Sequence, residues 1–400
     1  MRRITVVGAE TRSYKRTRIV LRESDVEVSI KTIERVIHDV GRELAERRDA
    51  RPQQRRALAH SPANVPDLAV VECDGGRIRC REPGQGRGVH LEGNGWRESK
   101  AACLIRCTRK TFDHDPQPQP PECFTDPRHV ARMVAAEALS VAAPKVTDAA
   151  AGPSAEPAEE PAVPPTDWRP QRLVRTVLAS VANSDAFGQQ MQREAKQRRF
   201  HEAPAKAFLG DGLAWNWTIH RERFPEYVGI LDFIHPLSYL FHAARAVHAT
   251  EQDVWDQYIA WMRGCWQGET EQVLCELRVW QTRLGDPPPD APDQDPREVL
   301  RTTIQYLEHN RARMDYPAYR REGLPITTAW MESLVKELNY RVKGTEMFWN
   351  DPEGAEAILQ VRAASLCEDD RLVTHLNTRP GSALTRRPKP ANPSAGKIKS

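Results

Sequence analysis

The sequence predicts an α/β fold: a mixed sheet flanked by helices and preceded by a small helical segment. Three observations support this prediction. Apolar runs of strand length occur at 68–73, 101–108, 207–209 and 228–231. Apolar residues at helical spacing dominate the chain after about residue 236. The first 60 residues are charged and contain one clear amphipathic helix.

That helix begins after Ser29, a residue type that favours the N-cap position. Its apolar face is formed by Ile30, Ile33, Ile37, Val40 and Leu44. Lys31, Thr32 and Arg35 point elsewhere, as in a recognition helix that lies in the major groove of DNA. An ordinary amphipathic surface helix has the same periodicity, so both interpretations stay open. Only about 28 residues precede it, which leaves little room for the earlier helices of a helix-turn-helix motif.

Asp74 is the first chemically suggestive residue. It follows the buried run 68–73 and precedes two glycines. An Asp-Gly pair is a common hairpin turn, and a second strand would then begin at Arg77. The alternative is a carboxylate presented to a metal ion at the end of a central strand.

Three further residues repeat this arrangement. Asp211 ends a short strand and lies between glycines, although a turn residue or helix cap is the alternative. Asp232 ends the run 228–231, and His235 follows three residues later. Glu332 lies about one turn into a helix that starts near Pro325. Carboxylates from separate elements can hold two Mg²⁺ ions, with Mn²⁺ as a substitute, for chemistry at a phosphodiester.

Composition excludes several classes of protein. No stretch reaches the length of a membrane span, and no secretory leader is recognisable. The eight cysteines form no CxxC pair, which predicts reduced thiols in a cytoplasmic protein. Neither GxxxxGK[ST] nor GxGxxG occurs, so nucleotide-binding enzymes are disfavoured. Lys+Arg (58) and Asp+Glu (55) nearly balance, but both ends are basic and could contact phosphates or be mere tails.

The order of these blocks resembles that of bacterial insertion-sequence transposases of the DDE class, specifically the Kra-type family. The resemblance covers roughly residues 25–377. The matching blocks are Ser29–Arg35, Val40–Leu44, Asp74–Arg77, Trp96–Lys100, Phe208–Gly212 with Trp215 and Trp217, Phe224-Pro225, Ile230–His235, Asn310 with Arg313–Tyr316, Gly323–Ile326, Glu332-Ser333 and Arg341–Gly344.

The resemblance implies an RNase H-like core with an all-α insertion. Asp74 would be the first catalytic carboxylate and metal ligand, and Glu332 the third. Asp211 is the preferred second ligand, because related transposases place it just after the fourth strand. Asp232 and His235 match the Asp-x-x-His signature that follows the next strand and would position DNA. The alternative is that Asp232 is the second ligand.

The resemblance also divides the chain. The predicted parts are 1–60 (helix-turn-helix-like, shorter than in family members), 61–143 and 171–235 (the core), 144–170 (a Pro/Ala-rich linker), 236–325 (the all-α insertion), 326–377 (the core helix with Glu332) and 378–400 (a basic, disordered tail). The candidate DNA contacts are Lys31, Thr32, Arg35, Arg97, Lys100, Arg313, Arg320 and Arg321. For the arginines of the insertion, a solvated helix face is the alternative.

The predicted function is metal-dependent cleavage and strand transfer at insertion-sequence ends by a nucleoid-associated homo-oligomer on double-stranded DNA. Two alternatives remain at this point. A truncated or domesticated relative would bind DNA without transposing. An RNase H-like nuclease would cut particular DNA structures without joining them.

Overall fold

The computed structural model describes residues 1–50, 64–80, 95–141, 168–343 and 348–379. They form a mixed α/β fold around one five-stranded sheet of order β3-β2-β1-β4-β5. The strands are β1 (Leu68–Arg79), β2 (Trp96–Cys107), β3 (Arg172–Ser180), β4 (Ala205–Gly210) and β5 (Val228–Leu231). β1 is antiparallel to β2 and parallel to β4, β2 is antiparallel to β3, and β4 is parallel to β5. This sheet is compatible with the RNase H-like core that the resemblance implies.

Helices precede the sheet, connect some of its strands and follow it in the chain. They are α1 (Arg2–Glu10), α2 (Tyr14–Arg22), α3 (Ile30–Asp49), α4 (Pro127–Val141), α5 (Ser184–Gln197), α6 (Ala214–Arg223), α7 (Ile234–Val247), α8 (Glu251–Trp266), α9 (Thr270–Leu284), α10 (Pro296–Asn310), α11 (Tyr316–Arg321), α12 (Ala329–Val342), α13 (Pro352–Leu366) and α14 (Arg371–Thr378).

β1 is longer than the sequence predicts. Instead of turning at Asp74, the strand continues to Arg79, and Asp74 pairs with Ala101 of β2. The hairpin interpretation of Asp74 is therefore wrong, and no separate strand begins at Arg77. The physical reason is that every residue of β1 up to Arg79 has a pairing partner on β2. Gly75 and Gly76 therefore continue the strand at little steric cost.

The N-terminal helices are packed against the C-terminal part of the fold. Ser29 caps α3 as predicted, because its side chain accepts a hydrogen bond from the Thr32 amide at 3.0 Å. α1 and α2 precede α3, so the expectation that too little chain is present for earlier helices is wrong. The apolar stripe of α3 is buried, and α13 lies directly against it. The helical segment therefore rests on the core.

The close contact between α3 and α13 depends on the lack of a side chain at Gly41. A Cβ at Gly41 would lie 2.1 Å from the carbonyl oxygen of Ala357. We expect Gly41→Ala to lower the free energy of unfolding by about 2 to 3 kcal/mol, because the neighbouring atoms are backbone and cannot rotate away. Urea unfolding of this variant beside Glu46→Ala, an exposed position on the same helix, measures the effect. Equal midpoints for the two variants would contradict this close packing.

α7 to α11 form an all-helical region between β5 and α12. Its interior is aromatic, with Tyr258, Trp261 and Trp266 fully buried. Arg320 joins this region to the chain before α4, since its guanidinium pairs with Asp115. The buried side chains of this region belong to the same hydrophobic core as those of the strands.

Several predictions concern residues outside this description. The Pro/Ala-rich linker falls almost wholly on 142–167, and the basic tail on 380–400, which are not among the described residues. Among the described residues, no helix has the length and apolar character needed to cross a membrane. No disulfide joins any of the eight cysteines, all of which lie among the described residues.

Candidate active site

The register of the three parallel strands brings the predicted aspartates together. Leu209 of β4 is in register with Glu72 of β1 and with Ile230 of β5. Asp74 lies two residues after Glu72 on β1, and Asp211 and Asp232 directly follow the last residues of β4 and β5. The charges of Asp211 and Asp232 both raise the pKa of Asp74, so the three carboxylates lie near one another at the carboxyl edge of β4 and β5.

Asp74 lies in β1 and is largely enclosed. Burial, together with the charge of Asp211, raises its pKa to about 6. The Gly75 amide donates to Asp74 Oδ1 at 2.6 Å, and both this bond and the nearby His235 act in the opposite direction. Asp74 is therefore a carboxylate whose ionised form a nearby positive charge would stabilise.

Asp211 lies in the turn between β4 and α6. Its Oδ1 accepts hydrogen bonds from the Leu213 amide at 3.0 Å and from Asn216 Nδ2 at 2.6 Å. The Tyr306 hydroxyl of α10 donates to the Asp211 carbonyl oxygen at 2.9 Å. Burial raises the pKa of Asp211. The turn is therefore fixed from both sides, which holds the carboxylate against the sheet edge.

Asp232 is fully buried and connects three elements. Its Oδ1 accepts from the Thr328 amide at 3.1 Å, just before α12 begins, and more weakly from the Ile234 amide at 3.4 Å. Its Oδ2 lies 2.7 Å from His235 Nδ1. Both oxygens are thus occupied, and Asp232 fixes the start of α12 and the orientation of His235.

Glu332 lies in the first turn of α12, the position predicted for it. It is half-buried, and α12 packs on β1 and β2. Its charge raises the pKa of Glu72, which lies two residues before Asp74 on the same face of β1. Glu332 therefore lies near Glu72, but it does not form a group at ligating distance with Asp74 and Asp211 in this structure.

The donor chemistry of this edge suits Mg²⁺. Asp74 and Asp211 repel each other, and a cation between them would relieve that repulsion. In the part of the chain that the structure describes, no three His, Cys, Asp or Glu side chains lie at ligating distance of one another. Mg²⁺ is usually held by one or two carboxylates, waters and substrate phosphates. Asp74 and Asp211 are therefore the two carboxylates of this edge that would hold such an ion.

Two of the predicted DNA contacts are buried and paired. Arg320 is completely buried, hydrogen-bonded to Asp115 and stacked 4.2 Å above the Trp266 ring. Lys100 is 3% exposed and donates to Glu98 at 2.6 Å. Neither side chain can reach a phosphate in this structure, so the prediction for these two residues is wrong.

The other candidates are at the surface. Lys31, Arg35, Arg97 and Arg321 are exposed, and Thr32 is half-buried. Arg313 is half-buried, lies 4.2 Å above the Trp217 ring and donates to the His309 carbonyl oxygen at 3.0 Å. These residues remain candidates for contact with DNA.

Sequence reasoning missed a basic surface on α2, which we call the α2 basic face. It consists of Lys15, Arg16, Arg18 and Arg22, all exposed. No ion pair between described residues includes any of them. Arg18 and Arg22 line a groove of about 470 Å³ that reaches Ser29 at the start of α3. The run Tyr14–Arg22 contains no acidic residue, which is the signal that could have revealed it.

Sequence reasoning also missed Glu72. It is completely buried in the middle of β1, and burial raises its pKa well above the ordinary value, with the Asp232 charge as a further cause. A charged residue within the apolar run 68–73 was the available signal.

Comparison with known proteins adds little to this geometry. No family model matches the chain, and no curated protein matches it. A solved structure of the Drosophila P element transposase strand transfer complex is similar with a TM-score of 0.33 and 8% identity, over 92% of each chain. A likeness this weak decides neither the fold nor the function.

Proposed function

We propose that the chain is a DDE-type DNA transposase with an RNase H-like core, which cuts and joins DNA at the ends of an insertion sequence. The observation that carries the proposal is the proximity of Asp74, Asp211 and Asp232, with the start of the helix that holds Glu332 tied to Asp232 through the Thr328 amide. The block resemblance to insertion-sequence transposases supports the same conclusion.

Different residues of the chain would have different roles at the site. Asp74 and Asp211 would hold Mg²⁺, with Glu332 as the third carboxylate. When bound, the metal supplies activation of a water or 3′-hydroxyl and stabilisation of the leaving oxygen. Asn216 and the Leu213 amide orient Asp211. Asp232 holds His235 in one orientation through the 2.7 Å contact with Nδ1.

The N-terminal helices would hold the DNA. Lys31 and Arg35 on α3 and the α2 basic face are exposed, and their positive charges complement the phosphate backbone. Because this segment packs on α13, DNA bound to it would keep a fixed relation to the sheet. Strand transfer needs two ends at once, so the acting form would be a homo-oligomer on double-stranded DNA.

Binding through the α2 basic face predicts a change in salt dependence. Each phosphate contact contributes about 0.9 to the slope of log affinity against log salt. We expect Arg18→Ala/Arg22→Ala to flatten this slope by about 2 and to weaken binding to all DNA sequences alike. Titration by fluorescence anisotropy at several salt concentrations measures both. Arg245→Ala/Arg278→Ala removes the same charge from exposed positions already paired with glutamates. An equal change in this control would rule out a specific role for α2.

The function itself is tested with labelled DNA that carries the element's ends, in Mg²⁺ or Mn²⁺. We expect cleavage at the ends and joining to a second DNA. Cleavage of branched or hybrid substrates without joining would indicate a structure-specific nuclease instead. Tight binding without cleavage would indicate a domesticated DNA-binding protein.

A further inference from the structure

Glu72 carries a buried carboxyl group without a hydrogen-bond partner. The residue is 0% exposed, and neither Oε1 nor Oε2 has a partner among the residues that the structure describes. The buried Glu194 shows the usual solution, since Arg198 and Arg371 bind it at 3.0 and 2.6 Å. Glu72 is therefore exceptional among the buried acids of this fold.

The carboxyl group faces the beginning of α12. Glu72 is in register with Cys103 of β2 and Leu209 of β4, at the centre of the sheet, and α12 packs on β1 and β2. The Met331 amide acts on the carboxyl group and lowers its pKa, but its hydrogen bond goes to the Thr328 carbonyl oxygen at 2.8 Å. Glu332 follows directly in the chain. The group thus lies between the strand of Asp74 and the helix of Glu332.

This position is costly for a polar group. A buried carboxyl whose oxygens make no hydrogen bond of ordinary geometry loses its hydration with little compensation, whereas an apolar side chain of similar volume does not carry that cost. Departures from local consistency of this kind are expected at functional sites. The first turn of a helix has N–H groups without intrahelical partners, which can donate hydrogen bonds to a carboxyl group. The natural partner for Glu72 is therefore the first turn of α12.

We propose that Glu72 is a positioning residue that receives the first turn of α12 and thereby sets Glu332 against Asp74 when DNA and metal bind. This inference rests on the proposed function, because it assigns a role to Glu332 in the same site. It predicts opposite effects on stability and activity when the carboxyl group is replaced by an apolar side chain.

The test compares Glu72→Met with Glu72→Gln in the full chain. We expect Glu72→Met to raise the melting temperature without metal by about 3 °C or more. Cleavage should fall about 10- to 100-fold, the Mg²⁺ concentration for half-maximal rate should rise, and DNA affinity should stay unchanged. Glu72→Gln keeps polar atoms in the same place and should retain most of the cleavage activity.

The control is Leu209→Met, a packing change at the β4 residue in register with Glu72 on the same face. It should leave the metal dependence unchanged. If wild type cleaves and Glu72→Met cleaves equally well, the positioning role is overturned while the proposed function stands. If Glu72→Met is less stable than wild type, the carboxyl group serves folding, which also overturns it. A wild type that neither cleaves nor is stabilised by Mn²⁺ would overturn both.

Discussion

Asp74→Asn is expected to abolish metal-dependent cleavage while making the metal-free protein more stable at high pH. The rate should fall about 10³-fold or more, because the amide cannot replace a charged ligand in the transition state. Stability follows from burial, which raises the pKa of Asp74 to about 6. The protonated form is favoured in the fold, so stability is lost as the pH rises through about 6. Asp74→Asn has no ionisable group at this position, so it does not lose stability in this way.

Cleavage assays and thermal melts at pH 5 and pH 8 without metal measure both effects. The difference in melting temperature between variant and wild type should be small at pH 5 and should grow by pH 8. Glu353→Gln, a conservative change at an exposed carboxylate in the first turn of α13, provides the control. Retained cleavage by Asp74→Asn would remove this residue from the site, and with it the proposed mechanism.

Asp211→Ala and Asp232→Ala are expected to fail in different ways. Asp232 is fully buried and both of its oxygens are hydrogen-bonded, so its loss should lower the free energy of unfolding by about 3 kcal/mol. Some cleavage should remain at low temperature. Asp211 is half-buried, and neighbouring negative charge opposes its ionisation, so its loss should cost less stability than the loss of Asp232, about 1 kcal/mol for its hydrogen bonds to the Leu213 amide and Asn216. The cleavage rate of Asp211→Ala should fall about 10³-fold.

Chemical unfolding and cleavage of the two variants, with Glu332→Ala beside them, separate these outcomes. Glu332→Ala should behave like Asp211→Ala, since it leaves the Thr328 anchor in place. The opposite result, a dead Asp232→Ala that folds normally and an active Asp211→Ala, would make Asp232 the second metal ligand.

The sequence predicted the strands that carry chemistry and the residues at their ends. β4 and β5 were found because each is a short apolar run that ends in Asp, and Ser29 was found because capping is local. The convergence of the aspartates depends on strand order and register, which come from pairing between distant segments. The resemblance to transposases implied an arrangement of the strands, whereas hydrophobic periodicity alone did not.

The errors have physical causes. The Asp-Gly-Gly sequence suits a hairpin turn, but the long partner β2 made continued pairing more favourable than turning. β3 was not recognised because charges interrupt it, among them Arg175, which Glu337 binds from α12. Lys100 and Arg320 were taken for surface cations because their partners, Glu98 and Asp115, are set by tertiary structure.

The packing of α3 on α13 has a consequence for how the protein is made. On the ribosome, α3 is complete roughly 300 residues before α13, an interval of about 15 to 60 s at ordinary elongation rates. Until then, α3 can pack only on α1 and α2, and the part of its apolar stripe that α13 covers stays exposed. A product that stops before Pro352 would expose that stripe, which favours aggregation and degradation. Prematurely terminated chains would therefore be removed rather than compete with full-length protein for the same DNA.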